Sequence, residues 1–129
     1  LLSQKELYTE IFSGKNITCS VQLPDSPVII KMNGALATIL VTNLIKNAFV
    51  HSPEGGKVTL ALTETQLVVE NSGDSPLDSS RIFDRFFQGS KKEGSTGLGL
   101  ALAKTIADRN GILLSYSYMN GMHRFCVKF

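Results

Sequence analysis

"EGSTGLGLALAKTIADRNG", residues 93–111, sets four glycines around a helical pattern, and this combination decides how the chain is interpreted. The residues at helical spacing are Leu98, Ala101, Leu102, Thr105 and Ile106. They predict an amphipathic helix opening near Gly97, with Gly111 in the left-handed position that ends many helices. Gly97 and Gly99 fall in the first turn, where each glycine costs about 1 kcal/mol relative to alanine. Their presence therefore requires a reason other than helix stability.

A phosphate group would supply that reason. Backbone N–H groups at a helix N-terminus are unpaired and carry the positive end of the helix dipole, and glycine lets an anion approach them closely. Neither familiar phosphate loop matches, because Leu102 stands where a dinucleotide fingerprint has its third glycine and no Gly-Lys-Ser/Thr is present. The alternative is a flexible linker whose glycines only relieve crowding.

A long connection precedes this helix. Residues 72–96 contain only a short helical candidate at 80–88, with glycines at both ends of the segment. Irregular connections beyond about 12–15 residues are usually functional lids or disordered segments. The pattern predicts a mobile cover over a bound ligand.

The rest of the chain predicts a single α+β domain over residues 1–129. We expect a helix over 3–12 with Ser3 and Glu6 as a capping box, and a helix from the N-cap Asn33 to His51. The predicted strands are 17–23, a short one at 27–31, a hairpin of 55–63 with 66–71, and a hairpin of 112–118 with 123–129 turned at Asn120 and Gly121. A two-layer α/β sandwich follows, with a mixed, mainly antiparallel sheet and about three helices on one face.

Composition narrows the class of protein. The 129 residues are 43% hydrophobic with a net charge of +2, and no run approaches the roughly 18 apolar residues of a membrane span. We therefore expect no nucleic-acid partner and no direct membrane contact. Cys19 and Cys126 lie in alternating stretches, which predicts buried free thiols in a reducing compartment. A start without methionine predicts a piece of a longer protein. We expect this piece to be cytoplasmic, whether or not its parent is anchored in a membrane.

The helix expected from Asn33 to His51 contains two unusual amides. Its apolar sector comprises Leu36, Ala37, Leu40, Val41, Leu44 and Ala48. Asn43 and Asn47 lie one turn apart at the edge of this sector, and a buried amide without partners costs about 1–3 kcal/mol. One interpretation is that both amides bond to backbone and fix packing. The other is that an amide oxygen contacts a ligand or a hard cation such as Mg²⁺.

Four segments resemble, in order and spacing, the N, G1, F and G2 boxes of the ATP-binding catalytic domain of sensor histidine kinases. They are NLIKNAFVHS (43–52), VVENSGDSPL (68–77), RIFDRFF (81–87) and GSTGLGLALAK (94–104). The resemblance implies the Bergerat fold with a long ATP lid, ATP and Mg²⁺ as cofactors, and transfer of the γ-phosphate to a histidine. That histidine would lie on a separate dimerisation and phosphoacceptor domain of the same parent, with a response regulator as a further partner in two-component signalling.

The resemblance also implies residue roles. Asn47 would coordinate Mg²⁺, Asn43 would lie near the phosphates, and Arg85 would contact the γ-phosphate unless it is only a solvated charge. Asn71 would accept a hydrogen bond from the adenine amino group. Further nucleotide contacts are implied for His51, Gly73, Gly94, Thr96, Gly97, Leu98, Gly99 and Leu100. Phe83, Phe86 and Phe87 resemble a hydrophobic plug for the lid or the partner domain, although ordinary core explains at least one of them equally well.

Departures from the family pattern keep other functions open. Asn71 replaces the usual aspartate and Ser75 the usual second glycine, which predicts modest adenine affinity. Asn43 stands where hydrolytic relatives have a glutamate base, which disfavours hydrolysis. His51 and His123 lack a following acidic residue, so we expect no phosphoacceptor within the chain. The alternatives are a weak nucleotide-binding regulatory module, a Bergerat-type ATPase, and a protein-interaction domain.

Overall fold

The computed structural model describes residues 2–77, 80–84 and 98–129. Within them three helices and five strands follow one another along the chain. In order they are α1 (Leu2–Ile11), β1 (Thr18–Gln22), α2 (Gly34–His51), β2 (Lys57–Leu62), β3 (Gln66–Ser72), α3 (Gly99–Arg109), β4 (Leu113–Met119) and β5 (Met122–Lys128). A short 3-10 helix, Ser13–Lys15, follows α1.

The five strands form one mixed sheet in the order β1-β2-β3-β5-β4. β1 pairs with β2 in parallel, and the other three pairings are antiparallel. Both predicted hairpins are confirmed, and Asn120 and Gly121 turn the second with φ angles of 53° and 75°. The predicted α+β sandwich with a mainly antiparallel sheet is therefore the observed fold.

The hydrophobic core lies between the sheet and the helices. Alternate strand residues point toward the helices, among them Leu60 in β2, Val69 in β3 and Phe125 in β5, all of them buried. α2 and α3 cover this face and contact each other, and α1 packs beside α2. Because both helices lie on one face, the start of α3 is placed beside the middle of α2.

Polar groups fix both ends of α2. The Asn33 side-chain oxygen accepts from the backbone N–H groups of Ala35 and Leu36 at 2.9 and 3.2 Å, which confirms the predicted N-cap. At the other end, the Lys15 ammonium donates to three carbonyl oxygens. These belong to Phe49, Val50 and Ser52, at 3.1, 2.7 and 3.1 Å. A cation on the terminal carbonyls also complements the negative end of the helix dipole.

Replacing Lys15 with methionine should destabilise the domain by about 2 kcal/mol, because charge-assisted bonds to terminal carbonyls are lost while the stem volume is kept. Urea denaturation measures the difference. Lys31→Met, at an exposed position, is the matched control and should change stability little. Equal effects of the two substitutions would show that Lys15 does not hold the end of α2.

Three local expectations were wrong. Residues 27–31 lie outside the sheet, since Pro27 lacks an N–H to donate and Ile29 is 91% exposed. Ser3 lies inside α1, because the helix already includes Leu2, so the predicted capping box does not mark its start. Residues 80–84 form a turn with Asp84 N–H donating to the Arg81 carbonyl, whereas a helix was expected over 80–88, of which 85–88 lie outside the described residues.

The buried helix faces also differ from the expected ones. In α3 the buried residues are Ala103, Ile106 and Ala107, while Leu102 is 47% exposed. The small alanines let α3 approach its neighbours closely, so the helix is rotated relative to the face that its leucines predict. In α2 Leu36 is exposed, and Ile45 and Phe49 join the buried face.

The two cysteines are free and partly buried, in agreement with the expectation of unpaired thiols. Burial raises the pKa of the Cys19 thiol, although the nearby Lys5 charge opposes this. Cys126 donates through its sulfur to the Gln66 side-chain oxygen at 3.5 Å. Burial therefore disfavours the thiolate form of Cys19.

Candidate functional site

The start of α3 meets the middle of α2 at Gly99 and Asn43. A Cβ on Gly99, the first residue of α3, would lie 2.9 Å from the Asn43 side-chain oxygen. The Asn43 amide nitrogen donates to the Ile39 carbonyl at 2.9 Å, so its oxygen is the atom turned toward the helix start. One atom of the Asn43 amide thus bonds to backbone, and the other stands at a helix N-terminus, the kind of place where anions can bind.

Asn47 lies one turn further along α2 and is half-buried. Within the described part of the chain, the Asn47 side-chain amide forms no hydrogen bond, whereas the Asn43 side-chain amide bonds to a backbone carbonyl. An amide oxygen is a hard donor of the kind that Mg²⁺ accepts, and Mg²⁺ commonly takes only one or two protein ligands beside water and phosphate oxygens. No group of three or more His, Cys, Asp or Glu side chains suited to a metal occurs among the described residues. The donor set fits a magnesium ion held jointly with phosphates.

Asn71 is the polar residue that the sheet buries most deeply at this end, with 1% of its surface exposed. Its amide nitrogen donates to the Ser72 carbonyl at 3.1 Å. Because this bond commits the nitrogen side of the amide, the oxygen side can accept from an amino group. That chemistry suits the amino group of adenine without the charge assistance that an aspartate would give.

Gly73 follows β3 and lies against the β4–β5 hairpin. Its N–H donates to the Gly121 carbonyl at 3.0 Å, and its carbonyl accepts from the Tyr118 hydroxyl at 2.7 Å. A Cβ on Gly73 would lie only 2.0 Å from the His123 Nε2 atom, so a side chain does not fit beside that ring. The close approach of His123 therefore explains the glycine at this position.

His123 is buried, with 7% of its surface exposed, and stands opposite Asn71 across the β3–β5 pairing. Its Nδ1 atom lies 2.7 Å from the Tyr116 hydroxyl oxygen, which also accepts the Leu77 N–H at 2.9 Å. Burial lowers the pKa of the His123 ring from its ordinary value of 6.5 and raises the pKa of Tyr116. A neutral imidazole whose Nδ1 accepts from the Tyr116 O–H gives the His123 ring, the Tyr116 hydroxyl and the Leu77 N–H each a hydrogen-bond partner.

The lowered pKa of His123 makes the stability of the domain depend on pH. As pH falls below about 6.5, the unfolded chain binds the proton more readily than the folded chain, so the free energy of unfolding decreases. His123→Asn removes this titration, and its loss of stability between pH 7.5 and pH 5 should be smaller than that of the wild type. Urea denaturation at both pH values tests this, and identical losses would exclude His123 as the titrating group.

The remaining predicted site residues divide into two sets. Arg85, Gly94, Thr96 and Gly97 lie outside the described residues, as do Phe86 and Phe87. His51 is the half-buried last residue of α2, while Leu98 is exposed just before α3 and Leu100 is partly buried against the core. Phe83 packs edge-on against Phe125, with ring centroids 6.2 Å apart, so ordinary core accounts for it.

Tyr116, Tyr118 and His123 form a cluster, which we call the hairpin cluster, that was not expected from the sequence. Alternation along β5 was the available signal, because it places His123 on the same face as Phe125 and Val127. A histidine on a buried strand face requires a hydrogen-bond partner. Tyrosines at alternate positions of the neighbouring strand were the candidates.

Residues 33–128 match the family of histidine kinase-, DNA gyrase B- and HSP90-like ATPases. The chain belongs to this ATPase family. Its relatives by sequence include sensor histidine kinase WalK of Bacillus subtilis, 36% identical over 101 residues that make up 69% of this chain and 16% of WalK. The probable sensor histidine kinase TcrY of Mycobacterium tuberculosis is 32% identical over 126 residues, 90% of this chain and 26% of TcrY. Within the family it is therefore a histidine kinase ATPase domain, and ATP is the nucleotide that this class binds.

Solved structures agree on the fold. The mycobacterial sensor histidine kinase MprB superposes with a TM-score of 0.81 at 22% identity, covering 98% of this chain and 90% of the MprB chain. The nucleotide-free catalytic domain of histidine kinase ThkA gives a TM-score of 0.84 at 19% identity, covering 98% and 87%. None of the helices in the described part of the chain has the length and apolar character that a membrane crossing requires.

Proposed function

We propose that this chain binds Mg²⁺-ATP between α2, the end of β3 and the start of α3, and transfers the γ-phosphoryl group to a histidine of a separate phosphoacceptor domain. The observation that carries the proposal is the apposition of the Asn43 oxygen and Gly99, which places a polar side chain beside the N-terminus of α3. Asn47 adds an amide one turn away that no described residue engages, and Asn71 adds a buried acceptor for the base.

Each residue has a distinct part in the proposal. The N-terminus of α3 binds phosphate oxygens through N–H groups, and Asn43 lies beside them. Asn47 holds magnesium, which neutralises phosphate charge when it is bound. Asn71 accepts from the base. Arg85 is proposed to contact the γ-phosphate, a role for which a planar and permanently charged guanidinium is suited.

The transfer step needs little chemistry from this chain. A ring nitrogen of the acceptor histidine attacks the γ-phosphorus, a P–N bond forms, and the bond to the bridging oxygen breaks so that ADP leaves with its electron pair. Hydrolysis is disfavoured because an amide such as Asn43 cannot take a proton from water as a general base. His123 cannot serve as the acceptor, because it is buried under Gly73.

The partners follow from the same proposal. A structure of ThkA in complex with the response regulator protein TrrA superposes with a TM-score of 0.77 at 19% identity, covering 98% of this chain and 38% of that one. We propose that the parent of this chain likewise serves a response regulator, dimerises through its phosphoacceptor domain, and keeps this domain in the cytoplasm, where ATP is available.

The test is phosphotransfer from γ-labelled ATP to a separately purified phosphoacceptor domain of the same parent. The proposal predicts an acid-labile, base-stable label on the acceptor that requires both this chain and Mg²⁺. Phosphate release without acceptor would instead indicate an ATPase. Nucleotide binding without either reaction would favour a regulatory module, for which the Asn71 substitution provides a physical reason.

A further inference from the structure

The segment from Gly73 to Leu77 is fixed to the β4–β5 hairpin by polar contacts. Both backbone groups of Gly73 are bonded to it, through Gly121 and Tyr118, and the Leu77 N–H is bonded to Tyr116. Main-chain groups of surface connections are usually left to water. Here two tyrosine hydroxyls replace that water and define where the segment lies.

His123 lies at the centre of this arrangement. Its ring is 5.9 Å from the Tyr116 ring and 5.1 Å from the Tyr118 ring, measured between centroids, and its Nε2 side lies against Gly73. The Tyr116 hydroxyl accepts from Leu77, so its single proton is free to be donated to His123 Nδ1. The ring therefore orients the hydroxyl that holds Leu77.

The cluster also adjoins the residue that we assign to the base. His123 and Asn71 are direct partners across β3 and β5, and both are buried on the helix side of the sheet. Directly paired residues on one sheet face have Cβ atoms about 4.5–5.5 Å apart, close enough for one to limit where the other points. A shift of the ring would therefore move Gly73 and leave Asn71 with a different neighbour.

We propose that His123 is a positioning residue of the nucleotide site, which sets the affinity for the base by holding the Gly73–Leu77 segment through Tyr116 and by packing on Gly73. This rests on the proposed function, because it assigns the segment beside Asn71 to the nucleotide. His123 itself does not touch the reacting phosphate. Its effect should therefore appear in nucleotide affinity more than in the rate of transfer at saturating ATP.

Three variants separate the positioning role from simple packing. Tyr116→Phe removes one hydroxyl and keeps the ring. His123→Asn retains a polar amide near the position of Nδ1 but leaves volume unfilled, whereas His123→Leu fills volume without an acceptor. The matched control is Tyr8→Phe. Tyr8 is the only tyrosine outside the hairpin cluster, and it extends from α1 into the hydrophobic core.

The experiment measures amide hydrogen exchange at Leu77 and titrates each variant with ADP, with the melting temperature as a check on folding. In Tyr116→Phe we expect exchange at Leu77 about tenfold faster and ADP affinity about fivefold to tenfold weaker, the size of effect that one hydrogen bond produces. His123→Leu should show the same losses, His123→Asn should retain more affinity than His123→Leu, and Tyr8→Phe should match the wild type.

Three results would overturn the inference while leaving the proposed function in place. The first is that the wild type binds ADP and that Tyr116→Phe and His123→Leu bind it equally well. The second is that His123→Leu retains more ADP affinity than His123→Asn. The His123 ring would then contribute only by packing. Failure of the wild type to bind ADP would instead refute the proposed function, and an unchanged Leu77 exchange rate in Tyr116→Phe would refute the positioning role independently.

Discussion

Asn47→Ala is expected to weaken Mg²⁺-ADP binding by about a hundredfold while leaving the weaker metal-free binding of ADP within a few fold of the wild type. The reason is that Asn47 offers an amide oxygen one turn from Asn43 on α2, and alanine offers no metal ligand. Calorimetric titration with ADP, with and without Mg²⁺, measures both affinities.

The Asn47 variant should fold normally. Alanine has a higher helix propensity than asparagine, by up to about 0.7 kcal/mol, so α2 is not weakened. Lys46→Ala, at the exposed neighbouring position of the same helix, is the control and should retain full magnesium dependence. If Asn47→Ala kept its dependence on Mg²⁺, the metal would have to be held elsewhere.

Gly73→Ala is expected to combine a loss of stability of about 2 kcal/mol with a loss of detectable ADP binding, because the added methyl group overpacks a filled site. Its Cβ would lie 2.0 Å from His123 Nε2 and 2.4 Å from Cδ2, distances that require the ring or the segment to move. Either movement breaks a contact that joins the segment to the β4–β5 hairpin.

A double-mutant cycle identifies the source of the Gly73→Ala effect. If the clash is with the ring, Gly73→Ala and His123→Ala together should destabilise the domain by less than the sum of the two separate effects. Gly14→Ala, where a Cβ would meet nothing within 4 Å, is the matched control and should be nearly neutral. Additive effects in the cycle would mean that the His123 ring is not the reason why position 73 requires glycine.

The elements that sequence reasoning predicted correctly depend on local signals. α2 has a polar N-cap at Asn33 followed by a sustained helical period, and both hairpins combine strict alternation with turn residues such as Asn120 and Gly121. These signals are set by backbone sterics and local hydrogen bonds. The expected position of the long helix and the pairing within both hairpins therefore agree with the structure.

The expectations that failed depend on tertiary packing. The face that α3 buries is set by how closely Ala103 and Ala107 approach neighbouring elements, which the spacing of its leucines cannot reveal. The apolar run at 27–31 resembles a strand locally, but a strand exists only with a partner, and this run has no place in the sheet. Pairing is a non-local property.

The candidate site shows the same division. Asn43, Asn47 and Gly99 were singled out from helical patterns and from the family resemblance, and Asn71 from the resemblance alone; their roles stay predictions. The contacts of His123 were missed because its partners Tyr116 and Leu77 come from a different strand and a loop. Only the register of β4 with β5 and the path after β3 bring these groups together.

Calorimetric titration of this chain with ADP and a non-hydrolysable ATP analogue, each with and without Mg²⁺, tests the proposed nucleotide site directly. We predict saturable one-to-one binding that magnesium strengthens, and about 2.7 kcal/mol of added stability at a ligand concentration one hundred times the Kd. Absence of binding and of any melting shift at millimolar nucleotide would contradict the assignment of Asn43, Asn47, Asn71 and Gly99 to a nucleotide site.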